Sequence, residues 1–276
     1  MKARRFIIDT TLRDGEQTPG CVFSPKEKIR LAGLLESAGV YQIEAGIPAM
    51  GKGEKDTMLK IMENRKGVRI AAWNRMNRAD IIHSFDCRPD SMHISVPVST
   101  RHIYSKLGRD KQWLTRRLLE CVSLVKDRGY DFSIGFEDAS RGDLSFMRRL
   151  VKMLEPFCPS MIRYADTLGL MGPSAIRRAL AFLAGNTAIP LGIHAHNDLG
   201  MAAANSLSAA KAGALYIDTT LFGIGERAGN CDMGLFIKGA HRLFHIRPSP
   251  EEAAHLERVC FGEATRTQGI NRLTGY

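Results

Sequence analysis

Two histidines separated by one residue, His194 and His196, end an apolar run and are the first candidates for chemistry in this sequence. Ile189, Leu191 and Ile193 before them are typical of a buried strand, in which residues i and i+2 point to the same side. Both imidazoles would leave the strand end side by side, at a spacing from which one strand can offer a divalent metal two ligands. A pair of hydrogen-bonded core histidines is the alternative.

A third ligand must come from elsewhere in the chain. The best donor is a carboxylate near the N-terminus, Asp14, in the polar segment 9–17. The histidines are also followed by Asn197, Asp198 and a stretch of small residues, which favours a metal site over a core pair. We therefore expect Asp14, His194 and His196 to lie close together.

Other polar residues follow most of the strands that we predict. Glu44 and Asp138 could instead have a structural role as hydrogen-bond partners, and Asp166 could be a helix cap. The polar residues at predicted strand ends are Arg13, Asp14, Gln17, Glu44, His93, Ser95, Glu137, Asp138, Arg141, Asp166, Thr167, His194, His196, Asn197 and the loop 223–230, which ends at Asn230.

The chain alternates short β-branched runs with amphipathic helical segments, and this pattern predicts an α/β protein with parallel strands. The simplest arrangement of eight such units is a closed sheet, a single-domain (β/α)8 TIM barrel. An open doubly wound sheet is the alternative. We expect the barrel over residues 1–247, then an extra helix (251–262) and the start of a truncated linker over residues 248–276. The predicted strands are 6–9, 41–45, 68–73, 91–96, 132–136, 161–164, 189–193 and 215–219.

Composition narrows the class of protein. The 276 residues contain 44% hydrophobic residues and a net charge of +10, without an apolar run long enough to span a membrane. The six cysteines form no CxxC pair, which is typical of a reducing, cytoplasmic compartment. Basic pairs lie in helix-like segments, which favours a solvated outer face over a nucleic-acid site. The Gly223-x-Gly225 loop follows the last strand, which argues against a nicotinamide cofactor and favours an approach to the metal or to a phosphate.

Four motifs carry a family resemblance. Segments 9–17 (DTTLRDGEQ), 165–169 (ADTLG), 194–200 (HAHNDLG) and 225–230 (GERAGN) closely resemble the DRE-TIM metallolyase family, in its branch of 2-isopropylmalate, citramalate and homocitrate synthases. The resemblance covers roughly residues 5–245. Segments 46–51 and 93–99 look most like the homocitrate synthases of nitrogen fixation.

The resemblance implies a reaction and its ligands. Acetyl-CoA, as co-substrate, would condense with a 2-oxo acid, with 2-oxoglutarate to homocitrate favoured, and the thioester would then be hydrolysed. Asp14, His194 and His196 would bind a divalent metal, and Asn230 would be a fourth or water-mediated contact. Mg²⁺ or Mn²⁺ suits the oxygen ligands, and Zn²⁺ also suits two histidines.

The same resemblance implies roles for the remaining site residues. Arg13 would stabilise charge on the keto oxygen, and Thr167 would hydrogen-bond the substrate carboxylate. Glu137 would organise the acetyl-CoA end or the proton transfer. Gln17 and His93 would contribute to substrate binding.

The sequence departs from the family in two respects. Strand five lacks the arginine with which lysine-pathway homocitrate synthases pair the distal carboxylate, so that role would fall to Arg75, His93 or Arg101. Full-length synthases also continue into a linker that reaches the neighbouring active site, whereas this chain ends at Tyr276. We therefore expect a homodimer, or a heteromer with a chain that supplies the C-terminal module.

Three other functions stay open. One is a synthase acting on another 2-oxo acid, of the 2-isopropylmalate or citramalate type. A hydroxyacyl-CoA lyase or aldolase is the second, although Cys231 comes only after the glycine loop in which that family carries its cysteine. The third is a non-catalytic subunit that binds an acidic partner or nucleic acid.

Overall fold

Eight parallel strands close into a barrel, in which β1 pairs with both β2 and β8. The structure is a computed structural model that describes residues 2–264, with side chains to residue 260, so the expected linker beyond 264 lies outside the described residues. The predicted TIM barrel is confirmed. The strands are β1 Phe6–Asp9, β2 Gln42–Gly46, β3 Arg69–Arg75, β4 Ser91–Pro97, β5 Asp131–Glu137, β6 Met161–Asp166, β7 Leu191–Ala195 and β8 Tyr216–Thr219.

Helices follow the strands and surround the barrel. The first begins at a capping box, in which Ser24 and Glu27 exchange side-chain to backbone hydrogen bonds and Pro25 occupies the first turn. The helices are α1 Pro25–Ser37, α2 Lys52–Asn64, α3 Arg78–Phe85, α4 Lys111–Asp127, α5 Leu144–Leu154, α6 Pro173–Ala184, α7 Ala202–Lys211, α8 Met233–Ala240 and α9 Pro250–Ala264. The boundary expected between residues 247 and 248 falls between α8 and α9.

Strand ends differ from the prediction by one or two residues. β5 and β6 continue to Glu137 and Asp166, because backbone pairing extends past the apolar residues that define the pattern. β7 begins at Leu191, later than predicted, and Ile189 lies before it, since Pro190 has no N–H to donate to a strand partner. These shifts keep the polar side chains at the carboxyl ends of the strands.

One continuous apolar cluster joins the strands to the helices, with Ile43, Leu118, Leu150, Leu180 and Ile237 among its buried members. Leu243 lies outside the last barrel helix, α8. The helix ends at Ala240, and Leu243 is 46% exposed. The basic pairs of α5 and α6, Arg148-Arg149 and Arg177-Arg178, lie at exposed positions, as expected of a solvated outer face.

All cysteines are free thiols. Among the described residues, no helix is both long and apolar enough to cross a membrane.

Candidate metal centre

Asp14, His194 and His196 meet over the carboxyl end of the barrel. Their ligand atoms all lie within 4.8 Å of one another, and the three residues are buried. His194 Nε2 is 3.2 Å from Asp14 Oδ2 and 3.2 Å from His196 Nε2. The structure therefore brings together the three residues expected to bind a metal.

Local backbone geometry explains how these residues reach each other. The chain turns directly after β1, where Asp14 donates its backbone N–H to the carbonyl of Thr10. His194 lies in β7, and His196 follows at its end, bridged to Asn230 of the loop after β8. The first, seventh and eighth strand ends thus form one edge of the site.

Burial and charge set the protonation of this cluster. Burial would raise the pKa of Asp14, but Arg13 and His194 hold it well below its usual range. Burial would lower the pKa of His194, but Asp14 and Asp218 raise it to about 9. Burial, together with His194, lowers the pKa of His196 to about 3. At neutral pH an ionised carboxylate thus lies beside one protonated imidazole, His194, and one neutral imidazole, His196.

Asn230 completes the cluster. Its Nδ2 donates to Asp14 Oδ1 at 3.2 Å and to the carbonyl of Ile224, whereas its Oδ1 is buried without a hydrogen-bond partner. A buried carbonyl oxygen without a donor costs free energy unless a cation or a water satisfies it. The donor set of one carboxylate, two imidazoles and one amide oxygen fits a divalent metal.

Gly225 allows Asn230 to approach this closely. A Cβ at Gly225 would lie 2.0 Å from Asn230 Nδ2 and 3.5 Å from Asp14 Oδ1. The glycine loop after β8 therefore approaches the candidate metal site, and an approach to the metal was one of the two uses expected for it.

Arg13 lies against the cluster on the other side. Its Nη1 is 2.6 Å from Asp14 Oδ2, and its Nε donates to Glu44 Oε1 at 2.6 Å. Burial alone would raise the pKa of Glu44, but the positive charges of Arg13 and Arg163 hold it far below its usual range. A fixed guanidinium therefore lies beside the expected metal position.

His93 lies inside the barrel beneath this edge. Its Nδ1 is 2.8 Å from Ser133 Oγ, and a Cβ at Gly135 would be 2.4 Å from its Nε2. Burial and the charge of Arg163 keep the pKa of His93 well below its usual range. The ring is therefore neutral, and the glycine on β5 makes room for it.

Glu137 and Thr167 lie at the ends of β5 and β6. Glu137 accepts from Ser95 Oγ at 3.3 Å and pairs with Lys106 at 2.9 Å, while His102 Nδ1 is 3.3 Å away. Thr167 Oγ1 accepts the backbone N–H of Asp138 at 2.8 Å, which leaves its hydroxyl proton for another acceptor.

Three residues expected at the substrate make none of the site contacts described above. Gln17 is exposed on the turn after Asp14, and Arg101 is exposed after β4. Arg75 points its guanidinium at Asp80, at 2.7 Å, with its side chain 66% exposed. Arg75 is thus committed to an ion pair at the base of α3.

Two buried residues that contact the site were missed from the sequence. Arg163 on β6 and Asp218 on β8 are each 2% exposed, and Asp218 Oδ2 lies 2.9 Å from His194 Nδ1. Both stand inside predicted strands of mostly apolar residues. A charged residue in the middle of a buried strand was the signal that could have identified them.

Comparison with known proteins identifies a family and relatives of similar sequence. The HMGL-like family profile matches residues 4–249. Homocitrate synthase subunit alpha of Clostridium pasteurianum is 44% identical over 237 residues, which cover 86% of this chain and 88% of that protein. Homocitrate synthase of Frankia alni is 44% identical over 224 residues, covering 81% of this chain and 64% of that protein, so the chain spans less than two thirds of that relative.

Solved structures share the barrel. The HMG-CoA lyase of Bacillus subtilis matches with a TM-score of 0.82 over 95% of both chains, at 17% sequence identity. At this identity the similarity establishes the fold alone.

Proposed function

The chain belongs to the HMGL-like family, and we propose that it is an acyltransferase that condenses acetyl-CoA with a 2-oxo acid. The observation that carries the proposal is the buried cluster of Asp14, His194 and His196 beside the unpartnered oxygen of Asn230. The names of the relatives, homocitrate synthases among them, support this reaction class and favour 2-oxoglutarate as the acceptor.

In this proposal Asp14, His194, His196 and Asn230 hold a divalent metal, with Mg²⁺ or Mn²⁺ favoured and Zn²⁺ accommodated by the two imidazoles. The bound metal would act as a Lewis acid toward the keto and carboxylate oxygens of the 2-oxo acid. The depressed pKa of Asp14 supports its role, because a ligand carboxylate must be ionised.

Arg13 stabilises the charge that develops on the keto oxygen. The methyl group of acetyl-CoA gives a proton to a base, and its carbon attacks the carbonyl carbon of the 2-oxo acid. The carbonyl electron pair moves to the oxygen, which then takes up a proton and becomes a hydroxyl. A guanidinium already held by Asp14 and Glu44 needs no reorganisation to stabilise that oxygen. Water then hydrolyses the thioester and releases the thiol of CoA.

Thr167 and His93 orient the 2-oxo acid. The hydroxyl of Thr167 donates to the substrate carboxylate, since its oxygen already accepts from the backbone of Asp138. His93 presents a neutral imidazole from within the barrel, and Gln17 contributes from the exposed turn. Glu137 organises the acetyl-CoA end or the proton transfer, within reach of Lys106 and His102.

A second chain completes the enzyme in this proposal. The clostridial relative is named a subunit alpha, and the match to this chain covers 88% of that protein. We expect slow or no condensation by this chain alone, and faster condensation when a chain carrying the C-terminal module of longer synthases is added.

The test measures thiol release from acetyl-CoA with a panel of 2-oxo acids and Mg²⁺, Mn²⁺ or Zn²⁺, with and without the second chain. We expect release with 2-oxoglutarate, and loss of at least about 100-fold in the variant Asp14→Asn, because one of the metal ligands is weakened. No release with any acid, metal or partner would contradict the proposal. Full turnover by the single chain would contradict only the requirement for a partner.

Cleavage of a hydroxyacyl-CoA is less well supported. Cys231, the cysteine near the glycine loop, is fully buried, and burial raises its pKa to about 12. A thiol in that environment is a poor acid or base at neutral pH.

A further inference from the structure

One layer of the barrel interior is polar on every contributing strand. TIM barrels fill their interior with layers of side chains from alternate strands, dominated by bulky apolar residues. Here the even-numbered strands contribute Glu44, His93, Arg163 and Asp218, all of them between 0% and 2% exposed. Burying charges is costly unless they are paired, so this layer requires a specific arrangement.

Arg163 joins the two carboxylates of this layer. Its Nη1 donates to Glu44 Oε2 at 2.9 Å, and its Nε lies 2.9 Å from Asp218 Oδ2, at ion-pair distance but without hydrogen-bond geometry. Its Nη2 is buried and makes no hydrogen bond with the described residues. The guanidinium thus extends between β2 and β8 across the interior.

Each carboxylate then contacts one member of the site above. Glu44 uses its other oxygen to accept from Arg13, which lies 2.6 Å from Asp14. Arg163 therefore connects to Asp14 through Glu44 and Arg13.

The second connection passes through Asp218. Its Oδ2 lies 2.9 Å from Nδ1 of His194, whose Nε2 lies 3.2 Å from Asp14. A carboxylate on one ring nitrogen of a histidine fixes the proton there and leaves the other nitrogen for a metal. The two connections close a ring of alternating charges that begins and ends at Asp14.

We propose that Arg163 is a positioning residue of the metal centre: by bridging Glu44 and Asp218 it fixes the orientation of Arg13 and the Nδ1–H tautomer of His194. In the part of the chain that the structure describes, Arg163 forms no hydrogen bond or ion pair with Asp14, His194, His196 or Asn230, and it acts through the two carboxylates. The proposal rests on the metal site of the proposed function, and on no particular 2-oxo acid.

The test uses Arg163→Lys in the full chain. Lysine keeps the positive charge but has a single nitrogen, which cannot reach both carboxylates as the planar guanidinium does. We expect the affinity for Zn²⁺, measured by competition with a chelating dye, to fall by about 10- to 100-fold. In ¹⁵N-histidine NMR spectra of the Zn²⁺-loaded chain, we expect His194 Nδ1 to lose its single protonated state.

Arg69→Lys is the matched control. Arg69, the first residue of β3, also forms an ion pair with a barrel residue, Asp131 of β5. This pair lies at the opposite, amino end of the strands. Its variant should keep the Zn²⁺ affinity and the His194 spectrum of the original chain. Arg163→Met, which removes the charge, should weaken Zn²⁺ binding at least as much as Arg163→Lys if it folds.

Several outcomes would overturn the proposal. Unchanged Zn²⁺ affinity and an unchanged His194 signal in Arg163→Lys would do so, as would an equal loss in Arg69→Lys. Failure of the unsubstituted chain to bind Zn²⁺ would overturn both this proposal and the proposed metal site. Normal Zn²⁺ binding without condensation of any 2-oxo acid, even in the presence of the second chain, would contradict the proposed function alone.

Discussion

Asp14 holds a negative charge where burial alone would favour the neutral acid. Two neighbours reverse that preference, Arg13 at 2.6 Å and His194 at 3.2 Å. A divalent cation placed between Asp14 and the imidazoles would replace the proton of His194 and find the carboxylate already ionised. Metal binding would therefore replace the proton of His194 with a cation, without any change in the charge of Asp14.

Metal-free chain should lose stability as the pH rises, because of His194. Its folded-state pKa is about 9, above the usual 6.5, so its protonated form stabilises the fold fully below about pH 6.5. That stabilisation is lost as the pH rises through about 9. We expect the free energy of unfolding in urea to fall by about 3 kcal/mol from this group alone.

The variant His194→Gln isolates this contribution. Asp9, whose pKa burial raises to about 7, also favours the folded chain at lower pH and remains in both proteins. The difference in unfolding free energy between the two proteins should therefore shrink from pH 6.5 to pH 9. A pH-independent difference would contradict the protonation assigned to His194.

Among the elements, the strand pattern was the most predictable feature. β1 coincides with its predicted range, and β4 begins at its predicted residue. The ends of β5 and β6 were missed, since Glu137 and Asp166 pair through the backbone while their side chains are polar. Sequence patterns report where apolar side chains are buried, and backbone pairing can extend further.

The ligand set was predictable for a different reason. His194 lies in β7 and His196 directly follows that strand, so their proximity follows from strand geometry, and Asp14 followed from its motif. The pairing of Arg163 with Asp218 could not be predicted in this way. It depends on which side chains of alternate strands share a layer, and only the closed register of the barrel determines that.

The loop after β8 yields a prediction for Gly225→Ala. The added Cβ would lie 2.0 Å from Asn230 Nδ2, so Asn230 must move away from Asp14. Asn230 can shift at low cost, but Gly225 has a φ of +159°, which alanine rarely adopts, so we expect the free energy of unfolding to fall by about 2–4 kcal/mol. Metal affinity, measured by titration with Mn²⁺, should fall by about 10-fold or more.

Gly33→Ala is the control for this substitution. Gly33 lies within α1, where a Cβ would meet no atom within 4 Å. Alanine there should raise the free energy of unfolding by about 0.5–1 kcal/mol and leave Mn²⁺ binding unchanged. Equal Mn²⁺ affinity in both variants would contradict the close approach assigned to Gly225.

Over the whole molecule, barrel closure creates the site. Asn230 and Asp14 are 216 residues apart in the chain, yet their side chains are hydrogen-bonded at 3.2 Å because β8 pairs with β1. The candidate ligands on the first, seventh and eighth strand ends are brought together only when the sheet is closed. An open doubly wound sheet would have separated its first and last strands.

Metal binding should consequently stabilise the whole barrel. A metal that binds the folded chain at 100 times its dissociation constant adds about 2.7 kcal/mol to the free energy of unfolding. For a chain of this size that corresponds to a rise in Tm of about 5–10 °C, measurable by differential scanning calorimetry with Mg²⁺, Mn²⁺ and Zn²⁺ in turn. Asp14→Asn should show a much smaller rise at the same concentrations, because one ligand joining β1 to β7 is weakened. Equal rises in both proteins would mean that the metal stabilises the chain from another site, since a cation at this centre cannot be indifferent to Asp14.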